Sequence, residues 1–161
     1  VERAREATTA DVPALVEFWR EAVADLDGQR GGALLAGSLV SPAAVGDDLR
    51  AALADDDRLL VVGATDDADV GFASVYVDRM RREPIGVVEI VFVEPAARQV
   101  GVGEAMLDLV VGWCEARRCV GVDAPALPGN RAAKAFFEGH GFVARLLVMH
   151  HPIGPTGDRR R

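Results

Sequence analysis

Lysine is almost missing from this chain: of its 18 basic residues only Lys134 is not arginine, while Ala, Val, Asp and Gly abound. A GC-rich coding sequence produces that bias, so it carries little chemistry. Cysteine is scarce too. Two residues, Cys114 and Cys119, exclude a disulfide scaffold and are wrongly spaced for a zinc knuckle. No apolar run is long enough to span a bilayer, and the N-terminal residues contain no secretory apolar core. Excess positive charge is absent as well: a net charge of -7 disfavours non-specific nucleic-acid binding or docking on anionic lipid. Neither low-complexity tracts nor repeats of fixed period occur. What is present is 161 residues, half of them apolar and 27% charged, which is enough for one self-sufficient core. The expectation is a reduced, cytoplasmic domain that needs neither membrane nor nucleic acid.

Periodicity orders the elements. After an extended start, Thr9 and Asp11 offer caps and Pro13 suits a first helical turn. Val12, Leu15, Val16, Trp19, Val23 and Leu26 then recur at helical spacing. A mixed, glycine-containing connection over 28–42 leads to a second amphipathic stretch over 44–54. Three β-branched runs follow in tight succession (58–65, 70–78 and 85–93), which reads as an antiparallel meander. The pattern then switches to a helix over 103–117, a brief strand over 119–123, a short helix over 130–139 and a final strand over 142–150. A meander followed by alternating helices and strands predicts an α/β (α+β) domain with a mixed, mostly antiparallel sheet flanked by helices. Residues 152–161, ending in three arginines, read as a flexible basic tail.

The most informative stretch is Arg98-Gln99-Val100-Gly101-Val102-Gly103-Glu104, which follows a strand and opens a helix. Glycines there let a ligand approach the main chain, and the unpaired N–H groups plus the helix dipole suit an anion, phosphate above all. A P-loop would need Lys and Ser or Thr after the last glycine, where Glu104-Ala105 stands. A dinucleotide fingerprint would need a third glycine or alanine where Met106 stands. A plain glycine-rich turn is the remaining bland alternative.

Arg98-x-x-Gly101-x-Gly103 resembles the acyl-CoA loop of the GCN5-related N-acetyltransferase (GNAT) superfamily. Its neighbours are collinear with that resemblance. Val87 to Pro95 is similar to the family's fourth strand, and Asn130-x-x-Ala133-x-x-Phe136-Phe137 to the helix after its fifth. Gly141-Phe142 resembles the start of its last strand. Arg5-Glu6-Ala7-Thr8 and Asp11-Val12-Pro13-Ala14 are similar to its first strand and helix, so the likeness covers residues 1–151. The resemblance implies a single GNAT domain moving an acetyl group from acetyl-CoA to a primary amine of a small molecule or peptide, by direct attack in a ternary complex, without a metal. It implies that main-chain groups of Phe92 and Val93 pair with the pantetheine arm. Arg98, Gln99, Val100, Gly101, Val102, Gly103 and Glu104 would form the cofactor loop, amides between Val100 and Glu104 holding the pyrophosphate, with Asn130 and Phe137 also against the cofactor. Dimers are common in this fold, so a homodimer is compatible with it.

Amine acetylation needs a base for the ammonium and gains from an acid for the departing thiolate. Glu89 is the one carboxylate on the strand Val87 to Val93, and alternation would place it with Val87, Val91 and Val93. An apolar face desolvates a carboxylate, the condition that makes a useful base. A structural carboxylate satisfied by a nearby arginine is the equal alternative. Many family members carry a tyrosine where Phe137 stands, and phenylalanine has no proton to give. That departure leaves a second reading open: a non-catalytic acyl-CoA sensor of the same fold. Tyr76, the single tyrosine, lies too far along the chain to be assigned as its substitute. Cys114 reads as a small core residue, and His140 as an exposed turn residue. His150 and His151 would face opposite ways on a strand and cannot share a metal.

Overall fold

The computed structural model describes residues 1–66, 68–80 and 82–153. The elements are β1 (Glu2–Glu6), α1 (Val12–Asp27), α2 (Gly32–Ser38), α3 (Val45–Leu53), β2 (Arg58–Thr65), β3 (Ala68–Asp78), β4 (Ile85–Val93), α4 (Val102–Ala116), β5 (Val122–Asp123) and α5 (Arg131–Gly139). The sheet runs β1-β2-β3-β4-β5, antiparallel through β4 and parallel between β4 and β5. The meander and the mixed sheet are as the sequence predicts. No helix among the described residues is long and apolar enough to cross a membrane.

Central strands buried on both faces split the core in two. On one face Leu15, Phe18 and Trp19 of α1 and Leu49 of α3 meet Leu60, Val62, Phe72, Ile90 and Phe92. On the other, Met106, Val110, Trp113 and Cys114 of α4 meet Val61, Ala73, Val75 and Val88. Cys114 is the small core residue expected: burial, with Cys119 beside it, pushes its thiol up to about 12, so it stays protonated.

Alternation fails once along β4, and the failure positions the site. Ser74 pairs with Ile90 but Val75 pairs with Val88, so Glu89 is the extra residue of a β-bulge. Beyond it Val91 and Val93 pack on the α4 side, whereas Glu89 reaches Ser74 on the α1/α3 side. The shared face expected for Glu89, Val91 and Val93 is therefore corrected by one bulge.

The last expected strand is also corrected. Residues 142–150 join no sheet and are almost wholly exposed, because β5 is two residues long and offers the segment no matching ladder. His150 and His151 accordingly do not lie on a strand. The expected basic tail lies outside the described residues from 154 onward.

At the N-terminal end, Asp11 closes a capping box with Thr8, whose main-chain N–H donates to it at 2.7 Å. Arg5 adds two hydrogen bonds to the same carboxylate, each 2.8 Å. Arg5 and the Thr8 donors hold the Asp11 carboxyl well below the usual carboxylate range. Its contribution is then fully present above the unfolded value near 4 and fades as pH falls below it. Asp11→Asn should cost about 1 kcal/mol of stability at pH 7, discounted for the exposed Arg5. Urea melts should show that cost shrinking as pH falls below about 4, where the Asp11 carboxyl of the unfolded chain takes up a proton while that of the folded chain stays ionised.

Candidate active site

Two regions of β4 carry the candidate chemistry: its C-terminal end with the glycine loop, and its bulge with a pocket. At the first, a short 3-10 turn (Pro95–Ala97) leads into Arg98, and α4 starts at Val102. Gln99 and Gly101 both take left-handed backbone, with φ of 69° and 95°. That turn delivers the chain into α4 with no side chain capping it. The first amides of the helix have no intrahelical acceptor by geometry. Glu2 borders Gly101 and Glu104 sits in the first helical turn, so main-chain dipoles and not side-chain charge would attract an anion here.

Arg98 turns back onto the protein. Its Nε donates to the Val93 carbonyl at 2.9 Å, its Nη2 pairs with Asp25 at 3.3 Å, and its guanidinium lies 5.9 Å from the Phe92 ring centre. The arginine of the motif thus ties the loop to β4 and α1. Gly103 is a close-approach glycine: a Cβ there would sit 2.8 Å from the Phe136 ring. This explains why the second glycine of the motif and Phe136 occur together.

Asn130 and Phe137 are placed in the architecture. Asn130 caps α5 by accepting from the Ala133 amide at 2.9 Å, and its Nδ2 donates to Gln29 at 2.7 Å. Phe137 is buried, with the Phe136 and Phe142 rings each 5.3 Å away. His140, expected to be exposed, is half-buried with Nδ1 2.7 Å from the Phe136 carbonyl.

The bulge opens a pocket of about 360 Å³ lined by Asp48, Asp55, Asp57, Arg58, Tyr76, Val77 and Glu89. That volume falls at the small end of ligand sites, which suits a small amine. Glu89 Oε2 accepts from the buried Ser74 hydroxyl at 2.9 Å and lies 3.9 Å from Arg58. Arg58 is engaged elsewhere, by two bonds of 3.0 and 2.8 Å to Asp48. Glu89 therefore keeps a polar anchor and an exposed fraction of 21% toward the pocket. Asp57 is clamped by Arg79 through two 2.6 Å bonds, which lowers its carboxyl. The connection between β3 and β4 thus contributes a structural arginine.

Sequence reasoning missed most of this pocket. Tyr76, set aside as too distant in the chain, pairs with Val87 and lines the same pocket as Glu89. Extending the β3–β4 hairpin register from its turn would have found it. Asp48 and Arg58 left no such signal, because they meet only when α3 docks on β2.

A family model described as the acetyltransferase (GNAT) family matches residues 33–142. Among solved structures, a mutant protein from Bacillus halodurans superposes with a TM-score of 0.78 at 17% identity, covering 93% of this chain and 98% of that one. An aminoglycoside N-acetyltransferase in complex with CoA gives 0.76 at 17% identity, with 95% of each chain covered. A glucosamine-6-phosphate N-acetyltransferase from Arabidopsis thaliana gives 0.68 at 17%, covering 96% and 99%. No curated protein matches. At these identities the structural likeness concerns the fold.

Proposed function

The chain belongs to the GNAT acetyltransferase family, and from that membership we propose that it transfers an acetyl group from acetyl-CoA to a primary amine of a small molecule or peptide. The observation that carries the reading is the bulge that puts Glu89 in a pocket on the same strand whose far end adjoins the bare helix mouth. The residues fit the co-substrate. Gly101 leaves the amides of Val102, Gly103 and Glu104 open to a diphosphate, and Gly103 keeps the loop tight against Phe136. Main-chain groups of Phe92 and Val93 would hold the pantetheine arm, once Arg98 releases the Val93 carbonyl. Acetyl-CoA supplies an activated thioester carbonyl.

Glu89 accepts the proton of the bound ammonium, with Ser74 orienting the carboxylate and Arg58 held back by Asp48. The amine then attacks directly within the ternary complex. Tyr76 is the phenol in the pocket, and it replaces Phe137 as the group to test for acid assistance. A thiol leaves tolerably as thiolate at a pKa of about 8.5, so that assistance is worth less than it would be for an alkoxide. The pocket's four carboxylates against Arg58 favour a cationic acceptor, as expected of an amine. The structural likeness to an aminoglycoside N-acetyltransferase and a glucosamine-6-phosphate N-acetyltransferase supports a small-molecule acceptor.

A thiol-release screen of acetyl-CoA against amino acids, polyamines, aminoglycosides, amino sugars and peptides tests the proposal. Release above the water background with one amine class is the expected result. Tight acetyl-CoA binding with no release across the panel would instead favour the non-catalytic sensor.

A further inference from the structure

The chain's two cysteines meet at one helix end. There α4 stops in a closed reversal: the Cys119 amide donates to the Cys114 carbonyl at 3.1 Å, and the Arg118 amide to the Glu115 carbonyl at 2.9 Å. Arg118 turns the chain with a φ of 58°, the left-handed backbone that ends a helix in this way. Such a stop lays the side chain just past the reversal over one from the last helical turn, and an apolar pair is the usual occupant. Here the pair is two thiols in hydrogen-bond contact. They differ in access. Cys114 is buried beneath β4, where a Cβ at Gly86 would collide with its Sγ, whereas Cys119 is half-buried and partly open to solvent. The proposed acetyl transfer uses neither sulfur.

We propose that Cys114 and Cys119 are a redox-responsive dithiol, Cys119 reacting with a peroxide and Cys114 closing an intrachain disulfide across the end of α4. A disulfide needs Cα atoms about 4.4 to 6.8 Å apart and side chains that face each other. The bond between the Cys119 amide and the Cys114 carbonyl keeps the two residues within that reach, and the thiol contact supplies the facing. The Cys119 sulfur, as thiolate, attacks one oxygen of hydrogen peroxide. The O–O bond breaks, hydroxide leaves and takes up a proton as water, and Cys119 becomes a sulfenic acid. The Cys114 Sγ then displaces the sulfenic hydroxyl, which departs with the Cys114 thiol proton as a second water. Two thiols lose two electrons in all, and one peroxide is reduced to two waters. Because the departing hydroxyl carries off the proton, Cys114 need not be ionised beforehand. Closure fastens α4 to the residues that enter β5, beside the pairing of Gly86 with Val122.

Arg117 and Arg118 separate the two cysteines, so trypsin can read the bond. Native chain treated with hydrogen peroxide, quenched with N-ethylmaleimide, unfolded and digested without reductant should yield residues 99–117 joined to 119–131. The intact chain should be lighter by two hydrogens, and dithiothreitol should separate the joined peptides. Cys114→Ala should halt the reaction at the Cys119 sulfenic acid, trapped as a dimedone adduct that the wild type does not accumulate. The wild-type readouts stand alone should that buried substitution unfold the body. A wild type whose thiols both remain open to the maleimide after peroxide overturns the proposal. So does a wild type that accumulates the dimedone adduct, or a joined pair found only in chains of doubled mass.

Discussion

Gly101→Asp abolishes detectable acetyl-CoA binding by calorimetry while the circular dichroism spectrum stays that of the wild type. Three effects at one position set the size of the loss. Gly101 holds a φ of 95°, so any side chain pays about 1 kcal/mol of backbone strain, with aspartate among those that tolerate it best. A Cβ there meets only the Glu2 side chain, at 3.4 Å, and that flexible stem can move. The helix therefore survives. Indeed aspartate is a favoured residue just before a helix, because its carboxylate accepts from the first free amides. Those are the amides proposed to hold the diphosphate, so the variant fills the cradle with its own anion. A carboxylate about 4 Å from a phosphate oxygen also repels it by roughly 4 kcal/mol at the effective dielectric of a protein surface. Together these predict a loss of about a thousandfold or more. Gly101→Ala separates the parts: it keeps the strain without the charge and should weaken binding only about tenfold. An aspartate variant that binds as tightly as the wild type removes the loop from the site.

The contrast between the two glycines and the two aromatic-helix residues shows what kind of information the sequence holds. Gly101 and Gly103 are legible because backbone geometry restricts them: one needs left-handed φ, the other needs room for the Phe136 ring. The meander was legible for the same local reason, since β-branched runs and acidic turns are short-range signals. Asn130 and Phe137 were readable only by resemblance, and the structure engages them in a helix cap and an aromatic cluster. Glu89 was placed on the right strand but with the wrong neighbours, because a bulge is a property of two strands and leaves no mark in one. Asp48 and Arg58 depend on how α3 meets β2, which no local pattern encodes. The unpaired segment after Gly141 is the sharpest instance. Its residues do have strand character, as read, but a strand is defined by its partner, and none of the five strands of the sheet pairs with them.

Glu89→Gln lowers kcat by a factor of 100 to 1,000 at neutral pH and leaves acetyl-CoA affinity unchanged. The range follows from the usual worth of a positioned general base. Glutamine matches the carboxylate in shape, and its Oε1 can still accept from the Ser74 hydroxyl, so the bulge keeps its anchor. Only the ability to take a proton is removed. The pH profile carries the stronger prediction. An aliphatic ammonium of pKa about 10.4 begins to supply its own free amine as pH rises, so the variant should regain rate tenfold per unit where the wild type levels off. A merely structural Glu89 predicts something else: its contact with Arg58 is 3.9 Å and Arg58 is already paired with Asp48, so the substitution would shift the melting temperature slightly and leave kcat alone. Measuring kcat and melting temperature on the same preparation separates the two roles. Parallel pH profiles for variant and wild type would assign the proton transfer to another group, and Tyr76, the phenol lining that pocket, would be the next to replace.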